Sequence, residues 1–241
     1  MTTDTLFRDR RSVLDDFDFG PETAAVFDDM LVRSIPLYPE IQRMIGEIAA
    51  EFAAPGSQIF DLGCSTGTTL LTVDRTVAPD VGLVGIDASP DMLRQAEAKF
   101  VREGLQHRYE LLCRDLGQEA PVHSASVVIM AWTLQFIRPL HRDRLIREIA
   151  DGLSEGGCLI LIEKVSGEDS RLNRFFIQNH FEFKRRRGYS DIEIAQKRES
   201  LENVLIPYHE RENRELLMRN GFGACDTFFR WYNFCGILAL K

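Results

Sequence analysis

The chain has 241 residues, of which 44% are hydrophobic, and its formal net charge at pH 7 is −8. This size suffices for one well-buried core with a helical appendage. The acidic balance argues against direct nucleic-acid binding, which usually needs a basic face. Because no apolar run approaches 18 residues and the N-terminus lacks the apolar core of a secretion signal, we expect a soluble, cytoplasmic protein without a membrane partner.

The cysteines and histidines show no metal-ligand spacing. The five cysteines include no C-x-x-C pair, and the five histidines are scattered without neighbouring acids. Most cysteines lie in apolar runs, so we expect buried free thiols in a reducing compartment. No metal site is expected.

The predicted elements begin after a charged, aperiodic arm of about 20 residues. Between residues 21 and 52 the apolar residues recur at helical spacing, and Pro36 and Pro39 divide this segment into two helices. Five apolar runs then alternate with helix-like segments, at residues 58–62, 83–87, 109–113, 127–132 and 158–164. Such β–α–β repetition predicts a parallel sheet covered by helices on both faces.

The turn after the first predicted strand is the most informative segment, and it reads "QIFDLGCSTGTTLL" from residue 58 to 71. Gly63 and Gly67 give a nucleotide room to approach the backbone. Twenty residues after Gly67 the second strand ends at Asp87, where a carboxylate can accept hydrogen bonds from a ribose diol. An adenosine-containing cofactor is therefore expected across the carboxyl ends of the strands.

Three families share this loop geometry. The dinucleotide fingerprint G-x-G-x-x-G is broken at Ser65 and Thr68, which argues against a nicotinamide enzyme. The same letters spell the G-x-S-x-G elbow of α/β-hydrolases, but several strands precede that elbow and only one does here. The glycine loop of an S-adenosyl-L-methionine (SAM) enzyme carries no pyrophosphate and tolerates both departures.

Three acids at predicted strand ends are candidate ligands of the cofactor. Asp61 is expected to organise contacts to the methionine ammonium, or else to cap amides of the loop. Asp87 is assigned to the ribose, and Asp115 either accepts from the adenine amino group or is an ordinary turn acid. Cys64 is expected to be a packing residue, because no histidine is paired with it.

The C-terminal part departs from the alternation. Residues after Leu172 have helical periodicity, a further helix ends near Gly221, and two β-rich runs close the chain as an antiparallel hairpin. We predict an α/β fold with a doubly wound, Rossmann-like, seven-stranded sheet of class I methyltransferase type, extra N-terminal helices and a helical insertion. The expected segments of this single SAM-binding domain are 1–52, an arm and helices; 57–164, the cofactor-binding core; 165–208, the insertion; and 209–241, a helix and hairpin.

Two basic features lie in the insertion. The run at residues 184–187 is typical of a solvated helix face. Arg198 lies on a predicted helix with Glu199 and Glu202 nearby, so an ion pair along the helix is its simplest interpretation.

Several segments together resemble carboxy-S-adenosyl-L-methionine synthases. They are more specific to that family than the glycine loop is. They are "FDDMLVRSIPLYPEI", "DLGCSTG", "TLQFI", "FKRRRGYSDIEIAQKRESLENVL" and "WYNFCGILALK". The resemblance runs from about Thr5 to Lys241, and its tail motif is the specific part because generic methyltransferases lack it.

The resemblance implies that SAM and prephenate are converted to carboxy-SAM and phenylpyruvate, through a sulfonium ylide that captures carbon dioxide. This is the first step towards 5-oxyacetyl-uridine (cmo5U) at the wobble position of tRNA. It further implies a homodimer in which Arg198 reaches the neighbouring subunit's site and binds the added carboxylate. The implied cofactor contacts are Tyr38, Gly63, Cys64, Ser65, Asp87, Ala88, Asp115 and Leu116.

The role implied for Arg198 is physically reasonable. A guanidinium offers the added carboxylate a planar bidentate fork. An ordinary methyltransferase has no use for a cation there, because its own sulfonium would be repelled.

The chain departs from the family pattern at two positions. Ala131 and Ala88 stand where the family has asparagines. Ala131 lies where the ligand is touched, so a water or another side chain replaces the lost hydrogen bond, or the ligand differs. At Ala88 a backbone amide can serve whatever the side chain. For the two carboxylates of prephenate, Arg33 and Arg187 are candidates, and no general base is evident besides the donor's own carboxylate.

Two other functions stay open at this point. An ordinary SAM-dependent small-molecule methyltransferase accounts for the cofactor residues but leaves the tail as a lid. A non-catalytic SAM-binding partner of a tRNA-modifying enzyme is the other, and it predicts tight cofactor binding without turnover.

Overall fold

The computed structural model describes residues 2–10 and 14–241. The arm before residue 21 has no regular secondary structure in its described part. The helices are α1 (Pro21–Ser34), α2 (Tyr38–Phe52), α3 (Thr68–Asp74), α4 (Pro90–Glu103), α5 (Pro139–Gly152), α6 (Ser170–Arg186), α7 (Asp191–Ser200) and α8 (Glu210–Arg219). The strands are β1 (Gln58–Leu62), β2 (Gly82–Asp87), β3 (Tyr109–Cys113), β4 (Ala125–Ala131), β5 (Leu153–Lys164), β6 (Ala224–Trp231) and β7 (Phe234–Leu240).

The seven strands form one sheet in the order β3-β2-β1-β4-β5-β7-β6. The first five strands are parallel to one another, and β7 pairs antiparallel with both β5 and β6. The order reverses between β1 and β4, and ligands bind at such a switch point in open α/β sheets. The predicted doubly wound fold with a terminal hairpin is confirmed.

Both faces of the sheet are buried, which explains why its strands are continuous apolar runs. On β1, Phe60 and Leu62 pack into the cluster that contains Leu145 of α5. Ile59 points to the opposite face, in the cluster with Ile41 of α2. At about 25 cal/mol per Å² of apolar surface removed from water, such two-sided burial is the main term that stabilises the sheet.

The largest differences from the predicted strand boundaries are at β5 and at the terminal hairpin. Strand β5 begins at Leu153 rather than at residue 158, because its first residues are largely exposed and polar and carry no apolar signal. The hairpin turn lies at Tyr232 and Asn233, inside the first of the two β-rich runs, "CDTFFRWYNF" at residues 225–234, which is predicted to be a strand throughout. Tyr232 adopts a left-handed φ of 42°, a conformation that hairpin turns need but that glycine usually supplies.

The insertion and the arm meet above the carboxyl ends of the strands. The Phe17 amide donates to the Ser200 carbonyl at 2.9 Å. The Gln196 side chain on α7 donates to the carbonyl of Phe7 at 2.9 Å, and His180 on α6 bonds the Ser34 carbonyl at 2.8 Å. These bonds fix α6 and α7 over the edge of the sheet where the predicted site residues lie.

Candidate active site

A cavity of about 340 Å³ lies at the carboxyl ends of β1, β2 and β4, beneath the arm and the insertion. It gathers ten of the predicted site residues, which are Tyr38, Asp61, Gly63, Cys64, Ser65, Asp87, Ala88, Asp115, Leu116 and Ala131. Arg198 is not among the residues that line it.

The glycines of the loop are required by the protein's own packing. Gly63 and Gly67 have left-handed φ values of 82° and 75°, which favour glycine. A Cβ atom at Gly63 would collide with Thr133, and one at Gly67 with the Phe100 ring. The loop therefore packs directly against α4 and against the segment after β4.

Asp87 fixes the loop to β2. Its two carboxylate oxygens accept the amide N–H groups of Ser65 at 2.9 Å and Ser89 at 2.8 Å. Burial raises the pKa of Asp87, and these two hydrogen bonds oppose that rise. Each carboxylate oxygen can accept a further hydrogen bond, so the side chain can hold the loop and also face a diol.

Asp61 has no comparable partner. Its side chain is 2% exposed, and its Oδ2 atom is buried without a hydrogen bond. The amides of Gly63 and Cys64 donate to the Ile86 carbonyl at 2.7 and 3.0 Å instead, so Asp61 does not cap them. Burial, followed by the charge of Asp87, raises the pKa of Asp61 to about 8. A buried carboxylate of this kind needs a cation, because leaving it unpaired is costly.

A polar network that the sequence analysis missed stabilises the helical side of the loop. The Lys99 ammonium on α4 donates to Asp28 on α1 at 2.7 Å, and to the Thr66 and Thr68 hydroxyls at 3.0 and 2.9 Å. Asp28 also accepts from Thr66 at 2.6 Å. No local spacing links these residues, which lie on three separate segments.

Asp115 is a turn acid that also lines the cavity. Its Oδ1 atom accepts the Gly117 amide at 2.8 Å, as in a turn acid, and the residue also lines the cavity. The Cys64 thiol is buried, and burial raises its pKa well above the ordinary value. A buried, protonated thiol agrees with the predicted packing role.

The segment after β4 supplies a residue that the sequence analysis overlooked. Trp132 lines the cavity beside Ala131 and adopts a left-handed φ of 61°, which is unusual for a bulky residue. Its backbone amide donates to the Ile162 carbonyl at 2.6 Å, and its ring lies 5.6 Å from the ring of Tyr38. The indole Nε1 atom is buried and has no hydrogen-bond partner.

Glu163 holds the turn that follows Trp132. Its carboxylate accepts the amides of Leu134 at 3.0 Å and Gln135 at 2.8 Å. Burial raises the pKa of Glu163 to about 8, and the charge of Arg142 opposes that rise. The turn is therefore held by a buried acid on the neighbouring strand.

Three lysines also line the cavity, namely Lys164, Lys184 and Lys197. They come from β5, α6 and α7. The prediction of a solvated face for residues 184–187 is thus wrong for Lys184, although Arg185, Arg186 and Arg187 lie nearer the surface and none of them lines the cavity. Charge runs carry no information about which member faces inward.

The three arginines considered for ligand carboxylates lie elsewhere. Arg33 donates to the carbonyls of Asp4 and Arg187 at 3.0 Å and stacks 3.9 Å from the Tyr189 ring. Neither Arg33 nor Arg187 lines the cavity. Arg198 is exposed on α7, and within residues 2–10 and 14–241 it makes no hydrogen bond or ion pair, so the simple pairing along the helix is absent.

Residues 2–10 and 14–241 contain neither a metal-binding cluster nor a membrane-spanning helix. No group of three or more His, Cys, Asp or Glu side chains there is arranged to hold a metal ion. None of the helices in this part of the chain has the length and apolar character needed to cross a membrane.

The chain is similar to known methyltransferases in part of its sequence and in its fold. The methyltransferase domain family matches residues 59–157. A SAM-dependent methyltransferase from Aquifex aeolicus has the same fold, with a TM-score of 0.60 and 18% identity over 93% of this chain and 98% of that one. An O-methyltransferase family protein from Burkholderia thailandensis gives a TM-score of 0.65 and 17% identity, over 91% and 60%.

Curated relatives are much closer in sequence. Carboxy-S-adenosyl-L-methionine synthase from Methylococcus capsulatus is 52% identical over 100% of both chains. The protein of that name from Desulfotalea psychrophila is 41% identical over 99% of this chain and 97% of its own. At this identity over the full length, the chain belongs to the carboxy-S-adenosyl-L-methionine synthase family.

Proposed function

We propose that this protein converts SAM and prephenate to carboxy-SAM and phenylpyruvate, in the cytoplasm, for the cmo5U modification of wobble uridine in tRNA. The observation that carries the proposal is the buried, partnerless carboxylate of Asp61 beside the glycine loop. This carboxylate is suited to bind a cationic group such as the methionine ammonium of SAM. The relatives reported above are named for carboxy-SAM.

We assign the two ends of SAM to acidic residues that line the cavity. Asp61 would accept from the methionine ammonium, and Asp87 would accept from the ribose hydroxyls while it holds the loop. Asp115 would accept from the adenine amino group, since it lies at the cavity after β3. The remaining proposed contacts are Tyr38, Gly63, Cys64, Ser65, Ala88, Leu116 and Ala131.

The proposed reaction forms one carbon–carbon bond. Prephenate differs from phenylpyruvate by one carbon dioxide and one water, so decarboxylation expels the donor's hydroxyl group. The carbon dioxide joins the carbon of the SAM methyl group, and the proton lost from that carbon leaves with the hydroxyl as water. The reaction therefore needs a site that excludes bulk water and holds the donor's carboxylate beside the methyl group.

The proposed homodimer would complete the site. Arg198 is exposed and makes no hydrogen bond or ion pair within residues 2–10 and 14–241, so its guanidinium is available to the added carboxylate in the neighbouring subunit. Leu172, Phe175 and Tyr232 form an exposed apolar patch, at 52%, 53% and 38% exposure. Such a patch supports an interface.

The direct test combines ligand identification with turnover. Freshly purified protein is denatured and the released ligand is analysed by mass spectrometry, and the apo-protein is then incubated with SAM and prephenate. We expect a ligand heavier than SAM by one carbon dioxide, and phenylpyruvate formation that depends on both substrates. Release of SAM or its demethylated product, with no carboxylated species formed from prephenate, would instead indicate an ordinary methyltransferase.

Trp132 is expected to supply the hydrogen bond that Ala131 cannot. Replacing Trp132 by Phe keeps an aromatic ring but removes the buried, partnerless N–H group. A hydrogen bond to a charged ligand group contributes about 1.5–3 kcal/mol, so affinity for carboxy-SAM should fall roughly 10-fold to 150-fold. Titration calorimetry checks this, with Trp231→Phe, outside the cavity, as the control. Equal affinities in the two variants would exclude the role.

A further inference from the structure

We propose that Lys164, Lys184 and Lys197 form a binding site for a small dicarboxylate within the cavity. This inference rests on the proposed function, in which the carboxyl donor carries two carboxylates. It assigns to these lysines the role for which Arg33 and Arg187 were considered. The strand end of β5 and the helices α6 and α7 contribute one lysine each.

The distribution of cationic residues over the whole sequence supports a special role. The chain has five lysines but 24 arginines, and three of the five lysines line this one cavity. Of the other two, Lys99 is paired with Asp28, and Lys241 donates to the Leu153 carbonyl. None of the five lysines is an exposed residue, and arginine provides most of the positive charge at the surface.

No protein group neutralises the three ammonium groups. Across the part of the chain that the structure describes, none of their Nζ atoms makes a hydrogen bond or an ion pair. Lys197 is 7% exposed. Its Nζ atom lies over the face of the Phe17 ring, 5.8 Å from the ring centre. Buried charges are normally paired, so this cluster needs an anion from outside the chain.

The charged groups around the cluster do not supply that anion. Asp4 attracts Lys184 and Lys197, but its carboxylate already accepts from the Tyr189 hydroxyl and the Leu6 amide. Arg33 adds positive charge near Lys197. His180 stays neutral, because burial and the nearby lysines depress the pKa of its imidazole well below the ordinary value.

Burial without a paired anion lowers the pKa values of all three lysines. Burial, followed by repulsion from Lys197 and Lys164, lowers the pKa of Lys184 well below its ordinary value. Burial lowers the pKa of Lys164, and it lowers that of Lys197 to about 8. A bound dianion would reverse these shifts, because a nearby opposite charge favours the protonated amine.

The walls of the cavity limit the class of anion. Phe17, Leu201 and Phe234 line it together with the lysines, so the ligand needs an apolar body between its charges. Three separate point charges on different elements suit two carboxylates held apart by a carbon skeleton better than one compact anion. The enclosed position beneath the arm and the insertion does not fit a polymer such as RNA.

The test uses the full-length protein with Lys184→Met and Lys197→Met as separate variants. With SAM saturating, the KM for prephenate should rise at least about tenfold in each variant, as expected when a charged contact to the substrate is lost. SAM affinity should change less than about twofold, because the cofactor contacts lie elsewhere. The Tm without ligands should be unchanged or higher, since removing an unpaired buried charge does not destabilise the fold.

Arg186→Met is the matched control, because it removes one positive charge from the exposed side of the same helix. Its KM for prephenate should equal that of the wild type. A second measurement needs no variant: an amine-acylating reagent is applied with and without prephenate, and the modified lysines are mapped by mass spectrometry. Prephenate should protect Lys184 and Lys197 from the reagent but not Lys241.

The outcomes separate this inference from the proposed function. If carboxy-SAM is formed but prephenate neither protects the lysines nor has a raised KM in the variants, the lysine site is wrong and the function stands. If no carboxy-SAM is formed, yet prephenate raises the Tm of the wild type and fails to do so in both lysine variants, the dicarboxylate site stands and the function is wrong.

Discussion

Replacing Asp61 by Asn is expected to weaken SAM binding by about 3–4 kcal/mol, roughly 150-fold to 1,000-fold. The substitution keeps the size of the side chain but removes the charge that would pair with the methionine ammonium in a buried position. The free energy of unfolding without ligand should not fall, because the wild-type carboxylate has no partner to lose. Titration calorimetry and thermal melting measure the two quantities.

The same residue should make SAM binding depend on pH. Asp61 has a pKa of about 8 without ligand, and a bound ammonium lowers that pKa, so binding below pH 8 releases a proton. The Kd should therefore fall by up to about tenfold per unit as the pH rises from 6 to 8. Above about pH 8 the ligand's α-amino group loses its own proton and affinity should fall again.

The variant provides the control for this profile. Asp61→Asn should lack the rise in affinity between pH 6 and 8, whereas Asp115→Asn, at an exposed turn, should keep it. Calorimetry in two buffers of different ionisation enthalpy counts the released protons. If the Asp61→Asn variant showed the wild-type profile, Asp61 would not be the group that receives the ammonium.

The stability of the unliganded protein changes with pH in the opposite direction to its affinity for SAM. Because burial raises the folded-state pKa of Asp61 from 3.8 to about 8, the folded protein binds this proton more tightly than the unfolded chain. The stability linked to it is fully present below about pH 4 and is lost as the pH rises through 8. SAM should restore it, so the increase in Tm on adding SAM should be larger at pH 8 than at pH 6.

Replacing Arg198 by Ala is expected to weaken binding of carboxy-SAM by about 2–3 kcal/mol, roughly 30-fold to 150-fold, while SAM affinity stays within about twofold. The guanidinium would form a charge-assisted fork with the added carboxylate, a group that SAM lacks. The Tm of the fold should hardly change, because Arg198 is exposed on α7. Competition between the two ligands at equilibrium measures the ratio directly.

Arg198→Lys is the matched comparison for geometry. It keeps the charge but not the planar fork, so its carboxy-SAM affinity should lie between those of the wild type and the Ala variant. Mixing Arg198→Ala with Asp61→Asn subunits tests the contribution from the neighbouring subunit, because a mixed dimer should regain one complete site. Equal loss of SAM and carboxy-SAM binding in Arg198→Ala would contradict the role.

The site as a whole separates opposite charges across one cavity. Asp61 and Asp87 lie at the strand ends that would face the cationic and ribose parts of the cofactor. The lysine cluster lies on the side built from β5, α6 and α7, where the anionic donor would bind. In the proposed function, this arrangement would orient two substrates of opposite charge before the reaction and so lower the entropic barrier to bringing them together.

The fold, and the acids and loop glycines of the candidate site, could be predicted from local sequence patterns. Glycine and aspartate positions at the ends of β1 and β2 are read from short spacings, because a strand, its turn and the next helix are consecutive in the chain. The resemblance to the family added the other site residues, and ten of the predicted residues line one cavity. The helix breaks at Pro36 and Pro39 are local for the same reason.

Properties that depend on contacts between distant segments became visible only in the three-dimensional arrangement. The sequence left Asp61 open between a capping and a binding role, and the choice depends on where the loop amides donate. No pattern indicated that Trp132 buries a free N–H group. The run of basic residues predicted that Lys184 is part of a solvated face, although its position on α6 points it towards the cavity. These properties depend on how α6, α7 and the arm pack over the sheet, and no local pattern of residue types encodes that packing.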